Sequence, residues 1–135
     1  MKVLFYAAKQ YDRDSFDSVI KNYTDIEIDY IDSELDPLTA SLAKGYDAVC
    51  AFVSADVGAK TLTTLNELGV KTVLMRCAGY NNVDVEKTKE LGITVKIVPG
   101  YSPESVAEHA MALALAVNRR IYKAYNKVRE NDYSL

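Results

Sequence analysis

Short apolar runs separated by polar, helix-patterned stretches recur along this chain from residue 2 to residue 98, and that alternation sets its architecture. Residues 2–7, Lys-Val-Leu-Phe-Tyr-Ala, form the first run and predict a strand bounded by the polar Lys9-Gln10-Tyr11-Asp12. Phe16, Val19, Ile20 and Tyr23 then fall at i, i+3, i+4 and i+7, which predicts a helix with one buried stripe, capped by Asp12 or Asp14. Next, Ile26, Ile28 and Tyr30 alternate with Glu27 and Asp29, the pattern of a half-buried strand near a sheet edge. Asp36-Pro37 opens a short predicted helix that reaches Lys44 and stops at Gly45.

Residues 47–53 read as a third strand. Their Ala48-Val49-Cys50-Ala51-Phe52-Val53 core is apolar without alternation, as expected where both faces are covered. Ser54-Ala55-Asp56 leads into a helix to Leu68, closed by Gly69. From there Glu67-Leu68-Gly69-Val70-Lys71-Thr72-Val73 is echoed by Glu90-Leu91-Gly92-Ile93-Thr94-Val95. Each copy is a helix end, a glycine free to turn left-handed and a strand start, which is the join between successive βα units. Five strands separated by helices predict an α/β fold, a flavodoxin-like doubly wound parallel five-stranded sheet of order 2-1-3-4-5.

The last third changes character. After a fifth strand at residues 94–98 comes Pro99-Gly100-Tyr101-Ser102-Pro103, with Ser102 placed as a cap and Pro103 at the first helical position. No glycine or proline follows. Residues 106–117 are apolar on almost every face and rich in alanine, so this helix is expected to be buried all round, while Ile121, Tyr125 and Val128 line one stripe of a polar second half. Unbroken, it would run roughly 40 Å at 1.5 Å per residue, longer than a compact domain needs. The expected division is therefore a domain at 1–101 and a long linker or dimerisation helix at 102–135, whose apolar face wants a partner outside the domain.

Composition narrows the partners. With 135 residues, 49% hydrophobic and 26% charged, the chain is long enough for one domain with a real core. A net charge of −3 and no basic cluster longer than Asn118-Arg119-Arg120 argue against nucleic acid and anionic membrane. Met1 leads at once into the first strand and no apolar run is long enough to cross a bilayer, so neither a signal peptide nor a span is expected, and a reducing cytoplasm is the expected location. Cys50 and Cys77 fall in or beside buried strands, without a C-x-x-C and with a single histidine in the chain, so metal or disulfide use is not expected.

The chemistry concentrates in Arg76-Cys77-Ala78-Gly79-Tyr80-Asn81-Asn82-Val83-Asp84, which joins the apolar Thr72-Val73-Leu74-Met75 to the helix ending at Leu91-Gly92. A strand-to-helix turn at this edge is where open α/β sheets bind ligands. Gly79 permits close backbone approach, and the N–H groups of Ala78 and Gly79, backed by the next helix N-terminus, suit an anion such as a carboxylate. The bland alternative is an ordinary connecting turn.

Three stretches taken together resemble a known family. The segment 76–84, then Val98-Pro99-Gly100-Tyr101-Ser102-Pro103-Glu104-Ser105-Val106-Ala107-Glu108-His109-Ala110, then Asn118-Arg119-Arg120 are similar to the substrate-domain signatures of the D-isomer-specific 2-hydroxyacid dehydrogenases. Lys9-Gln10-Tyr11-Asp12 and the strand around Cys50 most resemble the fermentative D-lactate dehydrogenase branch. The resemblance covers essentially the whole chain. It implies a discontinuous substrate domain facing an NAD-binding Rossmann domain across a cleft, with the connecting helix contributing to a homodimer interface. It further implies that the N–H groups of Ala78 and Gly79 hold the carboxylate of a small 2-oxoacid such as pyruvate. Tyr101 and Phe52 would line the pocket, and Val106 would lie near the nicotinamide. The residues agree, because Phe52, Ala78-Gly79 and Tyr101 are expected to end strands three, four and five on one edge.

One departure is large. None of the six glycines (45, 58, 69, 79, 92, 100) forms G-x-G-x-x-G, so the dinucleotide's phosphate-binding turn is not expected here. The family's catalytic arginine, glutamate and histidine belong to regions beyond Leu135, so no catalytic residue is assigned in this chain, which is expected to be inactive by itself. His109, beside Glu108 on the buried helix, reads as a packed or hydrogen-bonded interface residue. Arg76 reads as a brace for the loop or for a neighbouring domain, and Cys77 as an inert small residue. Tyr101 reads equally well as core packing.

Two other functions compete. Flavodoxin-like folds also host receivers and flavin carriers, but Ala7-Ala8-Lys9 and Phe52-Val53 stand where a receiver needs acidic residues, and no Ser/Thr/Gly-rich loop follows the first strand. A non-catalytic dimerisation module, held together by the last helix, is the third reading.

Overall fold

The computed structural model describes residues 1–134. Five strands, β1 (Lys2–Phe5), β2 (Glu27–Tyr30), β3 (Ala48–Ala51), β4 (Thr72–Met75) and β5 (Thr94–Lys96), form one sheet. Every pairing is parallel and the order is β2-β1-β3-β4-β5, as the alternation of runs predicts. Helices α1 (Gln10–Ile20), α2 (Ala59–Glu67) and α3 (Val85–Leu91) connect them. The two Glu-Leu-Gly joins behave alike. Gly69 holds φ at +86° and Gly92 at +65°, values that a side chain would strain, and each turns the chain from a helix end into β4 or β5.

Register assigns the two faces. Leu4, Val49, Val73 and Val95 stand level across four strands, and this row belongs to the main core, where α2 contributes the fully buried Leu62 and Leu65. Phe5, Cys50, Leu74 and Lys96 make a row on the opposite face. There α1 supplies the cover, Phe16 meeting the Phe5 ring edge-on at 5.1 Å.

Four expectations about these elements need correction. The stripe on α1 is not buried: Phe16, Val19 and Tyr23 remain exposed, because this helix lies over an open apolar trough lined by Val3, Phe5, Ile28, Cys50 and Leu74. Its cap is Lys9, whose N–H donates to the Asp12 carboxylate at 2.9 Å, so Asp12 serves from the third helical position. The helix foreseen at 36–44 is only a 3₁₀ turn, Ala40–Ala43. Asp36 Oδ1 accepts the N–H groups of Leu38 and Thr39 at 2.7 and 2.8 Å, and the Thr39 hydroxyl donates to the Glu34 carbonyl, so local side chains take up the groups an α-helix would have used. Helix α2 also begins later than foreseen, with residues 52–58 forming a loop that bridges Val57 to Val83.

The chain divides into two compact units, Met1–Pro99 and the residues from Gly100 onward. Within the second, α4 (Pro103–Asn118) and α5 (Ile121–Arg129) replace the single long helix expected. Arg120 N–H closes back on the Val117 carbonyl at 3.1 Å, and Arg120 turns left-handed at φ +51° before α5 starts, so the ladder is broken without glycine or proline. Ser102 does precede α4, but its hydroxyl pairs with that of Ser105 rather than with the backbone. Burial all round is not realised: no residue of α4 is buried, and Met111, Leu113, Leu115 and Val117 are all exposed.

Candidate functional site

The carboxyl edge of the sheet gathers the loops that follow β1, β3 and β4. In a sheet of this order the crevice at the switch point opens between β1 and β3. Here it is filled from within the chain. Arg76, the first residue past β4, reaches across β3 and donates from Nη1 to the Tyr6 carbonyl at 3.2 Å and from Nη2 to the Ala7 carbonyl at 2.9 Å. The candidate turn lies one strand along, at the edge shared by β3 and β4.

There the backbone of 76–79 is fixed on one side and open on the other. Arg76 N–H donates to the Ala51 carbonyl at 3.0 Å, the Cys77 carbonyl accepts from Val98, and the Cys77 thiol donates to the Gly79 carbonyl at 3.2 Å. Among the described residues no acceptor reaches the N–H of Ala78 or Gly79. A Cβ built on Gly79 would meet nothing within 4 Å, and its φ is not left-handed, so neither internal packing nor backbone conformation demands glycine here. Two adjacent free N–H groups on a fixed turn, open to solvent, can accept a carboxylate by charge-assisted hydrogen bonds.

The helix N-terminus adds less than expected. Helix α3 has seven residues and starts six positions past Gly79, and its own Asp84 accepts the Lys87 N–H at 2.9 Å, so its end is already capped by an anion. The carboxylate reading rests on the turn alone.

Phe52 follows β3 directly, is 41% exposed, and stands beside this turn at the same edge. Its carbonyl lies 3.4 Å from Asn82 Nδ2, which also donates to the Ala55 carbonyl at 2.8 Å, while Val57 N–H donates to the Asn82 carbonyl at 3.1 Å. Asn82 thus ties the loop after β3 to the loop after β4. Its place inside the quoted motif was visible in the sequence, but nothing there distinguished it as the tie.

The remaining assignments fall differently. Strand β5 ends at Lys96, so Tyr101 does not terminate it as expected; it belongs to the second unit and is 74% exposed. Val106 lies in the first turn of α4, also exposed. His109 is exposed on the same helix. Arg76 braces the turn after β4 against the end of β1. Both cysteines are free and buried, and burial pushes the Cys50 thiol up to about 12 and raises that of Cys77, so neither is primed as a nucleophile. Among the described residues no cluster of histidine, cysteine, aspartate or glutamate could hold a metal, and no helix is long and apolar enough to cross a membrane. The start of α2 is not built for a pyrophosphate: Gly58, which precedes it, would place a Cβ 2.8 Å from Asp56 Oδ1, and its N–H already donates to that carboxylate.

The fold is an α/β domain on a doubly wound parallel sheet, with the candidate turn on the sheet's carboxyl edge. More particularly, the chain belongs to the D-isomer specific 2-hydroxyacid dehydrogenases, whose catalytic-domain description matches residues 3–131. A D-lactate dehydrogenase of Escherichia coli is 43% identical over 135 residues, all of this chain and 41% of that protein. The apo structure of D-lactate dehydrogenase from Escherichia coli superposes with a TM-score of 0.80 at 42% identity, covering 99% of this chain and 42% of that one. A D-lactate dehydrogenase from Aquifex aeolicus, solved with NAD and lactic acid, superposes with a TM-score of 0.80 at 26% identity over 98% of this chain and 38% of that one. The chain thus spans about two fifths of the length of its relatives.

Proposed function

We propose that this chain is the substrate-binding part of an NAD-dependent D-lactate dehydrogenase, which in complete form converts pyruvate and NADH to D-lactate and NAD. The single observation that carries the reading is the pair of free N–H groups at Ala78 and Gly79 on a fixed turn beside Phe52, in a chain 43% identical to a D-lactate dehydrogenase along its whole length. In this reading the turn binds the 2-oxoacid carboxylate, and Phe52 bounds the small side chain. Val106 faces the nicotinamide, and residues 102–135 lead on to the NAD-binding domain. What this chain's residues do is bind, orient and exclude water; the hydride and the proton come from groups it does not contain. The cytoplasm is the expected site of action.

The exposed apolar residues of α4, among them Met111, Leu113 and Leu115, support self-association as a homodimer. A dimerisation module without catalysis is the second reading, and the same observation favours it. Steady-state kinetics separate the two: protein extended through its cofactor domain is expected to oxidise NADH with pyruvate and to form D-lactate, while the 135-residue chain gives no turnover. No turnover from the extended protein leaves the module reading, and turnover from the short chain contradicts the division of labour.

A further inference from the structure

Just past the row Phe5, Cys50 and Leu74 come Ala7, Phe52 and Arg76, each two residues further along its chain. Arg76 sits among them with its side chain only 15% exposed, and each part of the guanidinium is engaged. Its Cζ lies over two rings, 4.5 Å from the Phe5 centroid and 4.9 Å from that of Phe52. Two N–H groups go to the Tyr6 and Ala7 carbonyls, and Nε faces Asp12 Oδ1 at 3.7 Å. Asp12 is equally enclosed, 10% exposed, and its other oxygen holds the start of α1 through Lys9 N–H. Ala7, whose carbonyl receives Nη2, keeps φ at +50°, a conformation costly for a residue with a Cβ unless its surroundings hold it.

Phe5 is a core ring, 1% exposed, whereas Phe52 is 41% exposed on a loop. A phenyl group so placed would ordinarily sample several rotamers; packed against a fixed guanidinium it is held in one. The backbone of the same arginine continues directly into Cys77-Ala78-Gly79. One side chain therefore connects the carboxylate-binding turn to the pocket wall.

We infer that Arg76, oriented by Asp12, is a positioning residue that fixes the Phe52 ring and thereby sets how large a 2-oxoacid side chain the site accepts. This rests on the functional reading above. Arg76 does not reach substrate, because its two rings, two carbonyls and carboxylate occupy it. Lysine in its place keeps the charge but has neither the plane that stacks nor the fork that spans two carbonyls.

The test is substrate selectivity in the complete enzyme, read as the ratio of kcat/KM for pyruvate to that for a branched or aromatic 2-oxoacid such as 2-oxoisocaproate or phenylpyruvate. Arg76→Lys is expected to lower that ratio about tenfold, the scale on which pocket walls discriminate one or two methylenes. Phe52→Ala should lower it similarly, and the double variant no further than Phe52→Ala alone. Asp12→Asn, which keeps an acceptor for Lys9 N–H, should move the ratio the same way by a smaller factor, and it decides the matter if Arg76→Lys does not fold. A purely structural arginine would depress all substrates together and leave the ratio unchanged. Wild-type enzyme with no turnover on any 2-oxoacid removes the functional reading, and this inference with it. Wild-type turnover with an unchanged ratio in both variants, or additive effects in the double variant, overturns the inference alone.

Discussion

Replacing Gly79 by alanine in the complete enzyme is expected to raise KM for pyruvate by about 10- to 100-fold while leaving the unfolding midpoint of the protein where it was. The fold has no use for glycine at this position: an added Cβ meets nothing within 4 Å and φ lies outside the left-handed region. Alanine should even restrict the unfolded chain slightly in favour of folding. The cost falls on whatever must approach the Ala78 and Gly79 N–H groups. A hydrogen bond to a charged group contributes about 1.5–3 kcal/mol, which corresponds to that range in affinity. Because the carboxylate is held alike in substrate and transition state, KM should carry more of the loss than kcat. Gly58 is the contrasting case, since its added Cβ would fall 2.8 Å from Asp56 Oδ1 and the change is felt inside the protein. Steady-state kinetics and thermal unfolding on the same Gly79→Ala preparation check the expectation. An unchanged KM would place the carboxylate elsewhere, and a lower midpoint would make the glycine structural.

Truncating Leu62 to alanine is expected to cost about 2–5 kcal/mol of stability, the range for a fully buried leucine whose cavity the surroundings cannot close. Leu62 is 0% exposed on α2, in the same cluster as Leu4, Val49 and Val73, so its loss opens the main core beneath three strands. Val19, on α1 over the other face, is 52% exposed, and its truncation should cost well under about 1 kcal/mol. Urea unfolding of the two variants distinguishes the faces. Equal losses would mean that α1 is packed as tightly as α2, contrary to the open trough beside it.

The sheet was legible because its signals are local. Apolar runs, the two Glu-Leu-Gly joins and the edge alternation at Ile26, Ile28 and Tyr30 each act within a few residues, and the strand order they favour is the one observed. The failures share a cause as well. At 36–44, Asp36 and Thr39 had the composition of a helix start but spend their oxygens on a turn. The α1 stripe had helical periodicity, yet periodicity states which face is apolar and not whether anything lies against it. Ile97 and Val98 prolong the apolar run toward Tyr101, but the pairing stops at Lys96, so the run overstates the strand.

The candidate site was legible as a place in the chain. Phe52 and Ala78-Gly79 sit in the loops that follow the adjacent strands β3 and β4, with Ala78 three residues past the end of β4 rather than on it. The engagement of Arg76 with Tyr6, Ala7 and Asp12 was out of reach, since it joins groups about seventy residues apart whose meeting depends on β3 lying between β1 and β4. Asn82 was hidden in the same way, its amide spanning two loops that only the sheet brings together.

The most direct measurement is a titration of the amide-labelled protein with pyruvate, and with its non-reducible isostere oxamate, followed residue by residue in proton–nitrogen spectra. The account predicts saturable shifts centred on the Ala78 and Gly79 N–H signals, shared by both carboxylates and diminished in Gly79→Ala. Saturable shifts elsewhere with these two amides unmoved would contradict it.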